Sequence, residues 1–273
     1  MKILCTIIIY NTDIFKCNVF KSLISPNIDA IDKVIIFDNS PSKQTFSPNI
    51  LGDKILYQWN EGLNLGISEC YNYAAKFAQQ NKYQWLLFLD QDTFFPKGAY
   101  LKYKSAIEDS SNMQVFVPIH IIKNTNRYLS PVNILKGTTN TKPRTGICSL
   151  SKITPINSGL LINIDAFINA GGYNSKIRVD FSDIQFFSKL KSVTQNISVL
   201  DIICIQDYSA SETDKKKLFN RYKLYIEGYK NYSFSTITEK LAITYLVLKR
   251  TISLAFKTKE KIFINYFIKK INE

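Results

Sequence analysis

The chain has 273 residues, 45% of them hydrophobic and 13% aromatic, and it carries a formal net charge of +13. The length suits one large domain, or one domain with an appendage, and the apolar content excludes a disordered chain. Five cysteines, an odd number without a C-x-x-C pair, indicate a reducing compartment rather than a disulfide framework. Because no apolar run approaches the ~20 residues that span a bilayer, a cytosolic protein is expected.

The predicted elements of the first ninety residues alternate between strands and helices. "KILCTIIIY" and "KVIIFDNS" are β-branched runs that end in polar turns, as buried parallel strands do, and residues 13–25 between them have helical spacing. "KILYQW" is a short strand, "NLGISECYNYAAKFAQQN" a helix and "YQWLLFLDQD" the next strand. This order predicts an α/β fold with a mainly parallel sheet and flanking helices.

The second half of the chain continues the same pattern. After Pro96 we expect a helix and a strand, and then a loop or irregular hairpin over the turn-rich residues 124–152. "INSGLLINIDAFINAGGY" predicts a strand and a short helix, "DFSDIQFFSKLK" a helix and "ISVLDIICIQDYS" a last strand.

The positive charge is concentrated at the C-terminal end. Residues 215–273 hold 14 Lys and Arg against 4 Asp and Glu, a net charge of +10, which leaves +3 for the first 214 residues. We therefore divide the chain into a nearly neutral domain, 1–213, and a basic helical region, 214–273. Nucleic-acid binding is not expected, because the sequence has no helix-turn-helix, zinc-finger or RNP-type signature.

The basic region contains amphipathic segments. "KEKIFINYFIKKI" is an apolar run flanked by lysines, and "EKLAITYLVLKRTISLAF" places four residues on one helical stripe: Leu241, Tyr245, Leu248 and Ile252. Such helices either pack back on the domain or lie on an anionic lipid surface. The two readings can hold for different faces.

Polar residues follow three predicted strands. Ligands of open α/β sheets sit beyond the C-terminal strand ends, so these residues are expected to converge on one crevice. They are Tyr10 and Asn11, Asp38 and Asn39, and Asp90, Gln91 and Asp92. The two aspartates of the last group, at i and i+2 of an extended chain, point to one side and repel each other. A hard divalent cation such as Mg²⁺ would remove the conflict.

Six segments, in this order, resemble the bacterial family 2 glycosyltransferases of the GT-A fold. They cover roughly residues 3 to 210 and are "TIIIYN", "VIIFDNS", "NLGISECYNYAAKFA", "WLLFLDQDT", "INSGLLI" and "INAGGYNSKIRVDFSDIQFFSKLK". The forms "LDQDT" and "NLGISEC" are most similar to the rhamnosyltransferase-like group of bacterial surface-polysaccharide synthesis. The resemblance implies a Rossmann-like GT-A domain, followed in this chain by the basic helical region.

The resemblance also implies an activity. An inverting glycosyltransferase would move a sugar, with L-rhamnose from dTDP-rhamnose as the first expectation, to a saccharide or polyprenyl-diphosphate-linked acceptor in O-antigen, lipopolysaccharide or capsule synthesis. A UDP-hexose such as UDP-galactose or UDP-glucose is the alternative donor. A non-catalytic sugar-nucleotide-binding protein is the alternative from another class. The enzyme is expected to be cytoplasmic and peripheral at the inner face of the cell membrane, and its oligomeric state is open.

The resemblance assigns roles to particular residues. Asp92, with Asp90, is the implied ligand of Mn²⁺ or Mg²⁺. The implied substrate-binding residues are Tyr10, Asn11, Asp38, Asn39, Asn64, Gly66, Asp90, Gln91, Ser158 and Gly159. Without the resemblance, Asp38 reads as a turn cap and Ser158-Gly159 as an ordinary turn before a strand.

Asp180 and Asp183 match the family's acidic pair after the glycine turn. The resemblance implies that one of them is the catalytic base. We expect Asp183 to be the base, with Asp180 either the alternative base or a residue that binds the acceptor; without the resemblance, Asp183 reads as part of a solvated helix face. On a helix, residues three apart share one face. Relatives often carry a histidine near the last strand, where this chain has Gln206 and Asp207, and His120 reads as a core residue. That departure leaves the metal dependence open.

Overall fold

One half of the central sheet is parallel in the computed structural model, which describes residues 1–46, 50–110, 112–135, 137–207 and 214–271. Its strands lie in the order β3 (Ile55–Trp59), β2 (Lys33–Asp38), β1 (Ile3–Ile9) and β4 (Trp85–Asp90). All seven residues of β1 are buried, because the strand is covered on both faces. These four strands therefore end at one edge of the sheet.

The other half of the sheet is mixed. Antiparallel β9 (Leu160–Asn163) follows β4, and next to it lie β6 (Val115–Ile122), β10 (Asn196–Gln206) and β5 (Thr93–Phe94). The turn-rich residues 124–152 contribute two short strands with different partners. β7 (Tyr128–Ser130) pairs with β6, and β8 (Gly146–Ser149) pairs with β10.

Helices cover both faces of the sheet. An apolar cluster on one face includes residues of α1 (Gly66–Gln80), α3 (Ile164–Asn169) and α4 (Ser182–Leu190), and a second cluster includes α2 (Ala99–Asp109) and residues 14–31. The four helices α1 to α4 are therefore present where the sequence predicts helices. All five cysteines are free thiols.

Residues 13–25 do not form the expected α-helix. They fold as a 3₁₀ turn, Ile14–Lys16, and a π-helical segment, Phe20–Ile24. The reason is a long-range contact, since the backbone N–H of Asn18 donates to the carbonyl of Gln91 at 2.9 Å rather than to its own helix. The Asn18 side chain also donates to the carbonyl of Asp92 at 3.0 Å. The helical spacing was right for burial and wrong for the type of helix.

Three helices follow at the C-terminal end: α5 (Lys215–Lys230), α6 (Ile237–Thr258) and α7 (Ile262–Ile271). Thr236 caps α6 by accepting the backbone N–H of Glu239, whose carboxylate in turn accepts the N–H of Ser235. A third apolar cluster joins Ile177 and Phe181 of the preceding domain to residues of these helices. The division at 213 and 214 adjoins residues 208–213, which lie outside the described part, and it stays a prediction.

Helix α6 is apolar on two faces. Ile243 and Val247 are buried against the neighbouring helices. The stripe named above faces solvent, with exposed fractions of 66% for Leu241, 55% for Tyr245, 40% for Leu248 and 49% for Ile252. One face of α6 therefore packs back on the protein, and contact of the exposed face with lipid stays a prediction.

Candidate active site

The ends of β1 and β4 are tied together at the C-terminal edge of the sheet. The backbone N–H of Tyr10 donates to Oε1 of Gln91 at 2.8 Å, and the N–H of Asn11 donates to Oγ of Ser40 at 2.8 Å. Tyr10 is 44% exposed, and Asn11 adopts the left-handed conformation, with φ of 50°. The turns after β1, β2 and β4 therefore adjoin one another, and convergence of all their polar side chains on one crevice stays a prediction.

Asp38 is fully buried, and protein groups already hold both of its carboxylate oxygens. Tyr57 Oη and Gln44 Nε2 donate to Oδ2 at 2.7 and 3.0 Å, and the backbone N–H of Ser40 donates to Oδ1 at 2.9 Å. The next residue, Asn39, is also buried. These contacts give Asp38 the turn-capping part that the sequence left as its alternative, and they hold Gln44 across the end of β2.

A cleft of about 620 Å³ lies beside this turn. Its volume is typical of small-molecule sites, and its lining is polar with two aromatic rings. Asn11, Ser40, Lys43, Gln44, Phe15 and Phe46 contribute to the lining, and Asp38 does not. The turns after β1 and β2 therefore form the wall of the cleft, and Asp38 does not contribute to it.

Asp90 and Asp92 are two partly buried carboxylates that repel each other at the end of β4. Burial and the charge of Asp92 raise the pKa of Asp90, and the Asp183 carboxylate adds to that shift. Burial and the charge of Asp207 raise the pKa of Asp92. Tyr71 Oη donates to Oδ1 of Asp90 at 3.0 Å and steadies its charged form.

A divalent cation shared with a substrate fits this pair. Two half-buried carboxylates whose pKa values rise together are stabilised by a nearby positive charge. Within the described ranges, no group of three or more His, Cys, Asp and Glu could hold a metal ion. Substrate phosphates complete Mg²⁺ sites that have only one or two protein carboxylates, so the pair suits a metal that arrives with a diphosphate.

A buried chain of hydrogen bonds ends on Asp92. Ser158 Oγ and Thr93 Oγ1 lie 2.7 Å apart, Thr93 donates to Gln206 Oε1, and Gln206 Nε2 donates to Asp92 Oδ1 at 2.7 Å. Because the hydroxyl hydrogen of Thr93 is donated to Gln206, Ser158 must be the donor to Thr93. Ser158 is fully buried, and so it supports the Asp92 turn from inside the protein. Gln206 stands where relatives often carry a histidine.

Asp207, the next residue, is held on the same side. Its carboxylate lies 2.8 Å from Lys123 Nζ and accepts from Asn18 Nδ2 at 3.2 Å. Its backbone N–H also donates to the carbonyl of Asp92 at 3.4 Å. The end of β10 is thus bound to the Asp92 turn by both side chains and backbone.

Gly66 meets another part of the protein backbone. It has φ of 77°, and a Cβ at this position would lie 2.6 Å from the carbonyl oxygen of Arg178. Asn64, which is exposed, accepts the backbone N–H of Gly66 at 3.0 Å. The glycine therefore permits α1 to begin in contact with Arg178, in the segment that leads to Asp180 and Asp183.

Gly159 is equally enclosed, with Pro118 and the Tyr103 hydroxyl where a Cβ would stand. His120, the core residue of the sequence prediction, is fully buried in β6, and neither ring nitrogen has a hydrogen-bond partner within the described ranges. Burial lowers its pKa to about 3, so the ring is neutral. These two residues face the interior of the domain.

Asp180 and Asp183 do not share a helix face. Helix α4 begins at Ser182, after Phe181 in the left-handed conformation, so Asp180 lies outside it. Asp180 Oδ1 is 3.1 Å from Arg221 of α5. Its buried Oδ2 has no partner within the described ranges.

Asp183 occupies the first turn of α4 and faces the Asp90 pair. Its Oδ1 accepts the backbone N–H of Ile184 at 2.8 Å. Burial, with the charge of Asp180 as a smaller contribution, raises the pKa of Asp183 to about 6. Burial, and then the charges of Asp183 and Asp90, raise the pKa of Tyr173, so these two carboxylates lie near the same ring. A carboxylate with a pKa near neutrality suits a general base.

The chain is similar to solved structures of S. aureus TarS. The TM-score is 0.57 against the TarS crystal structure, at 16% sequence identity over 93% of this chain and 44% of that chain. Against TarS 1–349 in complex with UDP-GlcNAc, it is 0.55 at 16% identity over 93% of this chain and 73% of that one. The complex with UDP gives 0.50 at 15%, over 93% and 72%. This chain thus spans less than half of the longer TarS chain.

The fold is of the GT-A type. The predicted fold class, an α/β domain with a largely parallel sheet, flanking helices and a C-terminal helical region, is confirmed. No family model matches the chain, and no curated protein matches it by sequence. Identities of 15–16% do not separate the rhamnosyltransferase-like group from other GT-A proteins, so that assignment stays a prediction.

Several residues of the candidate site were not found from the sequence. Tyr71, which donates to Asp90, lies within the helical pattern of α1, and the partners of Asp38 and Asp180 lie elsewhere in the chain. They are Gln44, Tyr57 and Arg221. Gln206 was noticed only as a replacement for a histidine. That departure, a polar residue at the inner end of a buried strand, was the available signal.

Proposed function

We propose that the protein transfers a sugar from a nucleotide-sugar donor to a hydroxyl acceptor. One observation carries the proposal: the carboxylate at the start of α4 lies near enough to Asp90, at the C-terminal end of β4, for its charge to raise the pKa of Asp90. The cleft at the turns after β1 and β2 has room for a nucleotide. TarS, similar in fold, binds UDP-GlcNAc and UDP.

The two acidic clusters divide the chemistry. A bound Mn²⁺ or Mg²⁺ would supply charge neutralisation at the diphosphate, and Asp90 and Asp92 are the residues that would hold it. Asp183 accepts the proton of the incoming hydroxyl, and Asp180, whose Oδ2 has no described partner, receives the acceptor. The reaction is a single displacement with inversion, because the base and the leaving group occupy separate clusters.

The nucleotide lies in the cleft between the turns after β1 and β2. Asn11 lines it. Tyr10 and Gln91, joined by a hydrogen bond, follow the adjoining strands, and Asn39, Asn64 and Gly66 belong to the turns after β2 and before α1. The acceptor is a saccharide or a polyprenyl-diphosphate-linked saccharide of bacterial surface-polysaccharide synthesis. The alternative, a binder without activity, predicts nucleotide binding with no turnover.

The donor distinguishes two versions of the proposal. The motifs "LDQDT" and "NLGISEC" favour dTDP-L-rhamnose, whereas the TarS complex favours a UDP-sugar. We expect the correct donor to raise Tm by several degrees at saturation, more with Mn²⁺ than without it. Thermal scans with dTDP-rhamnose, UDP-GlcNAc, UDP-glucose, UDP-galactose and GDP-mannose, each with and without Mn²⁺, measure this. No shift with any of them would contradict nucleotide-sugar binding.

We also propose that the exposed stripe of α6 lies on anionic lipid at the inner face of the cell membrane. Together with Ile237 and Phe256, which are 78% and 80% exposed, the stripe is apolar for about 30 Å along the helix. Exposed lysines lie on α6, just before α7 and on α7: Lys240, Lys249, Lys261 and Lys269. Apolar side chains between lysines match the chemistry of an anionic interface. No described helix is both long and apolar enough to cross a bilayer.

Vesicle binding tests this contact. The protein should co-sediment with phosphatidylglycerol vesicles, less with phosphatidylcholine alone, and progressively less as salt shortens the Debye length to ~3 Å at 1 M. Leu241→Gln with Ile252→Gln should abolish the binding. Ile147→Gln, which removes an equally exposed side chain from β8, is the matched control. Equal sedimentation of all three proteins would refute the contact.

A further inference from the structure

Asp180 and Asp183 lie on a segment, residues 177–183, that contacts other elements on two sides. On the side of α1, the backbone N–H of Ile67 donates to the carbonyl of Arg178 at 2.9 Å, and Ser68 Oγ donates to the carbonyl of Ile177. On the other side, the segment touches α5 of the C-terminal region. The position of Asp180 and Asp183 therefore depends on elements some 150 residues apart in sequence.

The contact with α5 uses one face of that helix. Arg221 Nη2 lies 3.1 Å from Asp180 Oδ1, and the ring of Tyr225 lies 4.6 Å from that of Phe181. Gly228 faces the carbonyl oxygen of Asp180, which would lie 2.8 Å from any Cβ added there. These three residues, at i, i+4 and i+7, bind a side chain, a ring and a backbone carbonyl of one short segment.

Phe181 shows why this contact matters for Asp183. It is buried and adopts φ of 72°, a conformation that a bulky residue keeps only where its surroundings enforce it. Phe181 immediately precedes α4, so its backbone sets the direction in which the first turn, with Asp183, begins. Tyr225 is in turn covered by Arg250 of α6, 4.5 Å from its ring centre.

We infer that α5 belongs to the catalytic machinery, with Arg221 and Gly228 as positioning residues that place Asp180 and Asp183 opposite the Asp90 pair. The inference rests on the proposed function. It adds that the C-terminal region is needed for the chemical step itself, independently of any membrane contact.

Two substitutions test the inference. Gly228→Ala adds a methyl group against the Asp180 carbonyl, although alanine is the better helix former. Arg221→Gln removes the ion pair. Each should lower kcat about 10- to 100-fold, the effect of a small misplacement of a catalytic group, while nucleotide affinity and Tm stay close to those of the wild type. Arg221→Lys should recover part of the loss.

Matched controls come from the same helix. Glu227→Ala and Lys230→Gln change exposed positions beside the contact, and the second makes the same charge change as Arg221→Gln. If kcat of both test variants equals that of these controls while Asp183→Asn is inactive, the inference is wrong and the proposed function stands. Loss of nucleotide affinity together with kcat would also overturn the inference, because it indicates general disruption. Full activity of Asp183→Asn would instead overturn the proposed function.

Discussion

Asp183→Asn should lower kcat by about 10²–10⁴-fold, the usual contribution of a general base. The amide cannot take up the proton of the acceptor hydroxyl, but it keeps the size of the carboxylate and can still accept the N–H of Ile184. The affinity for the nucleotide sugar should be unchanged, since in the proposed function the other acidic cluster, Asp90 and Asp92, serves the nucleotide. Steady-state kinetics and calorimetric titration of the donor measure the two quantities separately.

The same substitution makes a pH prediction and a stability prediction. In the wild type, kcat/KM should rise with pH up to about 6 and then level, because the base must be ionised. The raised pKa means that between its unfolded value and about 6 the folded state binds more protons, so this group's contribution to stability falls as pH rises. At neutral pH the Asp183→Asn variant should therefore melt no lower than the wild type, and higher if this contribution dominates.

Two outcomes would contradict this assignment. If Asp180→Asn abolished turnover while Asp183→Asn did not, the base would be the neighbouring residue, despite its ion pair with Arg221. If the product kept the anomeric configuration of the donor, the single displacement itself would be wrong.

Asp92→Ala should lose several kcal/mol of transition-state stabilisation, which is a fall in rate of about 10²-fold or more. The carboxylate would no longer hold the cation that neutralises the diphosphate. Mn²⁺-dependent binding of the nucleotide, followed by calorimetry, should disappear in parallel. Asp90→Ala should weaken nucleotide binding as well, because Asp90 is the second residue proposed to hold the cation.

Asp201→Asn is the matched control for the loss of charge. Asp201 lies on β10, is exposed, and pairs with Lys142 at 3.0 Å, away from the acidic pair. Its substitution should leave both the rate and the Mn²⁺ effect unchanged. Full wild-type activity in EDTA would show that the reaction does not need the metal. The resemblance leaves this outcome open, because similar proteins often carry a histidine near the last strand, where this chain has Gln206.

The order of strands and helices could be predicted because each pattern depends on residues close together in the chain. The run "KILCTIIIY" and the polar turns after β1, β2 and β4 identify buried parallel strands and the edge at which their ligands gather. The resemblance then predicts the GT-A fold, and that prediction is confirmed. The roles of the individual site residues stay predictions.

What could not be predicted depends on distant partners. Asn18 breaks the expected first helix through a contact 73 residues away, with Gln91. Arg221 reaches Asp180 across 41 residues, and Gln206 reaches Asp92 across 114. Periodicity along one segment reports which side is buried, but it carries no information about which side chain from another segment will complete a hydrogen bond.

The hydrogen bonds from Ser158 through Thr93 and Gln206 affect how a cation would bind to Asp92. Every hydrogen in these bonds points towards Asp92, so the carboxylate is oriented by groups that are themselves buried and fixed. The oxygen that accepts from Gln206 is occupied, so a bound cation would use the other oxygen. Its binding would require little rearrangement of this carboxylate, because the hydrogen bonds that orient it form when the protein folds.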